Sequence, residues 1–510
     1  MAGAWALPTW DAEDLVRIDD PSDPRAVAVS ASGALIVGPP DDGTPWRRAS
    51  FPETDEVPVE ALVDPFPAVE ALEVLGVPGW HDEGLQGQGI KVAVFDSAWF
   101  VGESDPAEVL PISTHDCFAS PTCELGFDIQ RPYLTRESGA HGWACAEVVR
   151  DIVPEADIYL VRVNSLLAFE NATEWAIREG IDVISMSLSY FNDSFYDGTG
   201  PQAALVERLD RAGILLVTSA GNTAEQHWSG VFRDANGDRR LDGDGDDGLW
   251  TYLDQGSATI YLNWDERDRC GTTDLSLQLV DDRRYVLGRS DDLQDPEDED
   301  CEPYERVRAS VTRADWYRIE VVRERGSSST LAVDVLSRDG TMFEPVFEHS
   351  VTDPATHPRA LAVAAVPAYD YAAGTVEDFS AWGPNHAGWL RPDLAGPDGL
   401  TTDTYGPVGF YGTSASAPAV AGLVALVMSS EPGLGGAEAA DRLRGWARTD
   451  HPDGGFDPRW GAGKARLPRR DPGPVACGRR PLMMFVLPML WMGGWRRLRQ
   501  VHAASEAHRC

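Results

Sequence analysis

Gly89-Ile90-Lys91-Val92-Ala93-Val94-Phe95-Asp96 is a short apolar run that closes on a carboxylate. That is the form of a buried parallel strand, and it delivers Asp96 to the strand's carboxyl end. Residues 157–163, 181–188 and 214–219 repeat the form. Helical patterns over 141–151, 169–179 and 202–212 separate these runs, the first halted before Pro154. Alternation of β and α predicts an α/β fold, a doubly wound parallel sheet whose sites lie beyond the carboxyl ends of its strands. Asp96 and the Gly221-Asn222 turn fall at such ends, and His141 opens a crossover helix.

Outward from this frame the character changes. Residues 258–262, 275–279, 316–321 and 331–335 alternate apolar and polar side chains between turn signals, which predicts an inserted all-β sandwich over 225–352. The parent fold resumes with another buried strand at 360–366 and runs on over 353–468; its first part covers 76–224. Residues 1–75 are rich in Pro and Asp with one alternating run at 25–29, and read as an N-terminal extension or pro-segment. The tail, 469–510, holds an apolar run over 481–495, interrupted by Pro488 and followed by Arg496-Arg497-Leu498-Arg499. The run is shorter than the roughly 20 residues a spanning helix needs, so transient membrane association through 481–499 is the most it predicts.

A formal charge of −39, from 82 acidic against 43 basic residues, argues against a nucleic-acid partner, which a basic surface would hold. The seven cysteines are too few for a disulfide scaffold, but Cys117 lies close to Cys123, and Cys270 and Cys301 bracket a β-rich stretch. Two disulfides and an oxidising compartment are expected, hence a secreted or cell-envelope location. Cys145 reads as a buried small hydrophobe. The start, Met1-Ala2-Gly3-Ala4-Trp5, lacks the basic and apolar regions of a signal peptide. A monomer is expected.

Tyr411-Gly412-Thr413-Ser414-Ala415-Ser416-Ala417-Pro418 leads into a helix of small and apolar residues, with the proline expected in its first turn. Ser414 thus sits where free backbone N–H groups and the helix dipole converge, which suits a nucleophile whose product is an oxyanion. A hydroxyl also needs a base to take its proton, and the base needs a carboxylate to fix its tautomer. His141, behind which a glycine follows, and Asp96 supply these; Asn222 supplies a side-chain donor. Singly, each has a bland reading as a cap, a core histidine or a turn residue. Their joint occurrence has none.

With these residues in view, the chain resembles the subtilisin-like serine peptidases over most of 76–225 and 355–467. That family carries Asp, His-Gly, Ser-Ala-Gly-Asn and Gly-Thr-Ser-x-x-x-Pro stretches in this order, and Asp96, His141, Asn222 and Ser414 fall on them. The resemblance implies that Ser414 attacks a peptide carbonyl, that His141 is general base and then acid, and that Asp96 orients it. It implies that Asn222 and the Ser414 N–H hold the oxyanion, and that Ser187-Leu188-Ser189 pairs with an extended protein or peptide substrate. No cofactor is required for such chemistry. Departures stand at Ala98-Trp99, Trp143, Ser189 and Ala419, and the bulky ones are expected to crowd the cleft. A catalytically silent relative that binds peptides at the cell envelope is the alternative. An α/β-hydrolase esterase is excluded, since the chain has neither its Gly-x-Ser-x-Gly elbow nor its order of triad residues.

A second motif runs through Asp234, Asn236, Asp238, Asp242, Asp244 and Asp246, with glycines between. Alternating oxygen donors of this kind can wrap a structural Ca2+, although neither frame completes an EF-hand. A solvated acidic loop is the other reading.

Overall fold

The computed structural model describes residues 15–40, 44, 46–54, 69–101, 107–130, 139–243, 247–267, 270–295, 301–326, 330–447 and 455–470. The apolar runs form the expected central sheet. Its strands are β1 (Lys91–Asp96), β2 (Ser113–Asp116), β3 (Asp157–Arg162), β4 (Val183–Met186), β5 (Leu215–Ser219), β6 (Leu361–Pro367) and β7 (Leu394–Asp398). They lie in the order β7-β6-β5-β4-β1-β3-β2, with every pair parallel. From β1 the chain builds to one side through β3 and to the other through β4, so the order reverses at the carboxyl end that carries Asp96, the place where sheets of this kind bind ligands.

Helices cover the sheet: α1 (His141–Ile152), α2 (Leu166–Glu179), α3 (Pro201–Arg211), α4 (Thr413–Ser429) and α5 (Gly436–Ala447). α2 starts three residues before the expected position, because the Ser165 side chain accepts the Ala168 N–H at 3.1 Å and caps it. α4 is buried over Thr413–Met428, as a helix apolar on all sides must be, and joins α1, β6 and β7 in the main core.

The insertion is a sandwich of two antiparallel sheets. One is ordered His227–Val231, Ala332–Ser337, Gly256–Trp264, Tyr304–Val311; the other Val286–Ser290, Asp274–Val280, Asp315–Arg325, Leu249–Leu253, Gly340–Met342. Their inward residues, among them Ile260, Leu262, Leu277, Ile319 and Val333, share a core of their own. Both expected disulfides are present, Cys117–Cys123 and Cys270–Cys301, and Cys145 is free and buried.

The N-terminal segment carries more structure than its one alternating run suggests. Leu15–Ile18, Ala28–Ser30, Gly33–Val37 and Arg47–Arg48 form a four-stranded antiparallel sheet. It is tied to α2 by Arg17 and Glu170 at 2.9 Å and by Asn171 Nδ2 to the Val29 carbonyl at 2.8 Å. The segment 481–499 lies outside the described residues. Among the described residues no helix is long and apolar enough to cross a membrane.

Candidate active site

Asp96 ends β1, wholly buried, and its carboxylate is aimed by local bonds. Oδ1 accepts the Ala98 N–H at 3.0 Å, while the Trp99 indole N–H donates to the Asp96 carbonyl at 2.9 Å. Oδ2 faces His141 Nδ1 at 2.7 Å. The imidazole comes from the first residue of α1, and the next residue must be glycine. A Cβ on Gly142 would stand 2.6 Å from the Asp96 Cβ and 2.9 Å from the Ala98 carbonyl oxygen. Phe410 meets the His141 ring edge to face at 5.6 Å and closes its outer side.

Ser414 is the second residue of α4, behind Gly412, whose φ of 100° only glycine adopts without strain. Pro418 is not in the first turn as expected but sixth in the helix. Its missing N–H would have bonded the carbonyl four residues back, that of Ser414. Other donors take that place: Ser187 Oγ at 3.1 Å and the Cys145 thiol at 3.7 Å. The proline thus frees the Ser414 carbonyl to be tied to the strand region around Ser187 and to α1. The Ser414 hydroxyl is buried and makes no hydrogen bond among the described residues.

Asn222 follows β5, and its side-chain oxygen accepts both the Thr413 N–H at 3.0 Å and the Thr413 hydroxyl at 2.9 Å. With the oxygen so engaged, the amide NH2 is the end turned away from Thr413. Of the expected substrate strand, Leu188–Ser189 is a strand, but it already has a neighbour: Glu53–Thr54 pairs with it antiparallel, Leu188 opposite Thr54 and Ser189 opposite Glu53. Glu53 is gripped in turn by the sandwich, through Tyr261 Oη at 2.8 Å and Arg338 Nε at 2.7 Å. The Ser187 side chain points to the Ser414 carbonyl and that of Ser189 to Thr352 Oγ1 at 2.6 Å. Trp99 and Trp143, expected to crowd the cleft, are buried in the main core instead.

Among the described members of the acidic motif, no three carboxylates gather within 4.8 Å of one another. Asp234 pairs with Arg323 at 2.9 Å and accepts the Gly237 N–H at 2.8 Å. Asn236 Oδ1 accepts the Asp238 N–H, Asp238 the Arg240 N–H, and Asp242 the Ala235 N–H. Asp244 and Asp246 lie outside the described residues. Among the described residues, the one grouping of three or more ligand-type atoms within 4.8 Å is Asp96, His141 and Cys145, the paired carboxylate and imidazole with the thiol beside them. Sequence reasoning missed two buried carboxyl groups, one at the start of α4 and one on α1. Asp398, at the end of β7, accepts the Gly412 N–H at 3.1 Å, and Glu147 on α1 is pushed up to about 7 by burial. Asp398 carried a signal in its place at the carboxyl end of a strand next to the loop that leads to Ser414.

Comparison with known proteins follows the same lines. The thermostable alkaline protease of Halalkalibacterium halodurans is 31% identical over 176 residues, which are 31% of this chain and 45% of that protein. Subtilisin BL of Lederbergia lenta is 26% identical over 181 residues, 31% of this chain and 57% of its own length. The chain therefore spans about half the length of the curated relatives it matches. The solved structure of the Clostridium perfringens CspB protease superposes with a TM-score of 0.54 at 16% identity, over 78% of this chain and 95% of that one, a likeness of fold. The sequence model of the subtilase family matches residues 87–242 and 344–463, breaking off and resuming around most of the sandwich. A parallel sheet, a His–Asp pair at its carboxyl end and a family match on both sides of the insertion lead to one assignment: the chain belongs to the subtilase family.

Proposed function

We propose that the protein is a serine endopeptidase that cleaves extended polypeptides through an acyl-enzyme on Ser414. The observation that carries this reading is the meeting of four distant stretches at one end of the sheet. Asp96 holds His141 Nδ1 at 2.7 Å, so the proton-accepting nitrogen is Nε2, and Asn222 is locked to the residue just before Ser414. In the first step His141 removes the Ser414 proton as the oxygen attacks the carbonyl. The imidazolium formed is stabilised by Asp96, and the proton then goes to the leaving amine. The oxyanion is taken by the Ser414 N–H and the Asn222 NH2, donors set in place before the charge develops.

An extended substrate is supported by the edge at Leu188–Ser189, where an extended segment already pairs. With Ser414 and His141 buried in this arrangement, a substrate strand there takes the place of Glu53–Thr54. Labelling by a fluorophosphonate probe tests the reading. Wild type is expected to be labelled and Ser414→Ala not; equal labelling of the two would overturn the enzyme and leave a peptide-binding relative.

A further inference from the structure

The oxyanion site depends on one backbone amide, and the amides before it bear on how it is kept available. Three successive N–H groups, those of Gly412, Thr413 and Ser414, enter α4 where no carbonyl within the helix can accept them. The first donates to Asp398 Oδ2 at 3.1 Å and the second to Asn222 Oδ1 at 3.0 Å. The Ser414 N–H is the third. Gly412 takes a left-handed φ of 100°, a backbone that swings readily unless its neighbouring peptide is fixed. Asp398 does the fixing from a wholly buried position. Its second oxygen, Oδ1, is buried without a hydrogen-bond partner among the described residues.

We propose that Asp398 is a positioning residue: by holding the Gly412 amide it sets the start of α4 so that the Ser414 N–H is left for the oxyanion. The assignment rests on the peptidase reading. Asn222 then acts twice, with its oxygen on the second amide and its NH2 toward the oxyanion.

The same placement makes the charge of Asp398 matter. A carboxylate bonded to the amide two residues before Ser414 would oppose an oxyanion forming there, whereas a neutral acid accepts the same N–H without that repulsion. The surroundings favour the neutral form. Burial raises Asp398 well above the carboxylate range, and the Glu377 carboxyl adds to it. Glu377 itself is pushed up to about 7 by burial and by Asp378. Tyr369 and Tyr411 are the other titratable groups that feel this pair. A raised acid is neutral below its folded pKa, so activity is present there and falls as pH rises through it.

The experiment compares wild type, Asp398→Asn, Asp398→Ala and Ser414→Ala by the rate and concentration dependence of fluorophosphonate labelling across pH. Asn keeps an acceptor for Gly412 and carries no charge. It is expected to label within a few-fold of wild type at neutral pH and to lose the alkaline fall. Ala removes the acceptor, and its maximal labelling rate is expected to drop about 10- to 100-fold with half-saturation little changed. An Ala variant as fast as wild type, an Asn variant as slow as Ala, or superimposable wild-type and Asn pH profiles would each overturn the assignment while the peptidase reading stands. Should the Ala variant fail to fold, the Asn pH profile decides alone. Wild type labelled no better than Ser414→Ala would instead remove the peptidase reading.

Discussion

Among the described residues, two buried aspartates pair with histidine. At the mouth of α4, Asp96 meets one imidazole: Oδ2 faces His141 Nδ1 at 2.7 Å and Oδ1 accepts a backbone N–H. Where the sandwich joins the α/β domain, Asp334 meets two, His386 Nε2 at 2.5 Å on one oxygen and His227 Nε2 at 3.3 Å on the other. His227 Nδ1 donates to the Val346 carbonyl at 2.7 Å, and the His386 ring is stacked between Phe195 at 4.2 Å and His349 at 4.3 Å. Burial would raise Asp334, but His386 and His227 together outweigh it and hold the carboxyl well below its usual range. The first pairing leaves its ring's second nitrogen on the side away from the carboxylate, where a hydroxyl can be served. In the second, each carboxylate oxygen faces a different imidazole, and the far sides of the rings are packed or bonded to the backbone, so it stores charge and ties the sandwich to the α/β domain. A His–Asp contact is thus no sign of catalysis until the far edge of the ring is accounted for.

The largest expected effects separate the two pairings by what each variant loses. Asp96→Asn presents an amide to His141 Nδ1 and favours the wrong tautomer, so turnover is expected to fall about 10⁴-fold with the melting temperature little moved. Asp334→Asn is expected to do the reverse. It removes the counter-ion that keeps His386 protonated, so the buried ring either stays charged and unpaired or gives up its proton, which costs up to about 3–5 kcal/mol of stability, while labelling of the folded fraction stays within a few-fold of wild type. Denaturant unfolding and fluorophosphonate labelling of both variants check this. If Asp334→Asn abolished labelling in protein that is still folded, the division of roles would be wrong.

The contrast also explains what could be read in advance. Asp96, His141, Asn222 and Ser414 stand in short stretches whose local chemistry is distinctive, and the apolar runs around them predict the sheet that gathers them. The sandwich is legible because its inward residues alternate. The joint is not, since His227, Asp334, His349 and His386 are far apart in sequence and each is ordinary in its own strand or loop. β2, Ser113–Asp116, escapes notice for a related reason: it is an edge strand with one fully buried residue and no apolar period. Asp398 was missed because its partner is a backbone amide 14 residues away, brought to it only when β7 and α4 pack together. The early placing of Pro418 failed because the helix starts at Thr413, where Asn222 and Asp398 supply the acceptors that let it begin.

The smallest expected effect concerns pH at the joint and sharpens the comparison further. His349 is lowered from its ordinary 6.5 by burial and then by the charge of His386 stacked upon it, with Asp334 acting in the opposite sense and His227 in the same one. His386 is raised, burial opposing and Asp334 prevailing, with Asp197 and Asp265 adding to it. The two have opposite consequences. A raised histidine contributes stability that is present below its unfolded pKa and lost as pH rises through the folded one; a lowered histidine withdraws stability as pH falls below 6.5. Two like charges 4.3 Å apart are what acidification imposes on the stack. His349 has a φ of 68°, which asparagine tolerates, so His349→Asn removes the titration without straining the backbone. Lost stacking shifts its stability equally at every pH. On going from about pH 7.5 to about pH 5.5 the variant is expected to lose less stability than wild type, by about 1 kcal/mol or less given the partial exposure of the ring. Parallel stability curves for the two proteins would mean that His349 takes up its proton as readily in the folded chain as in the unfolded one, and that the stack does not lower it.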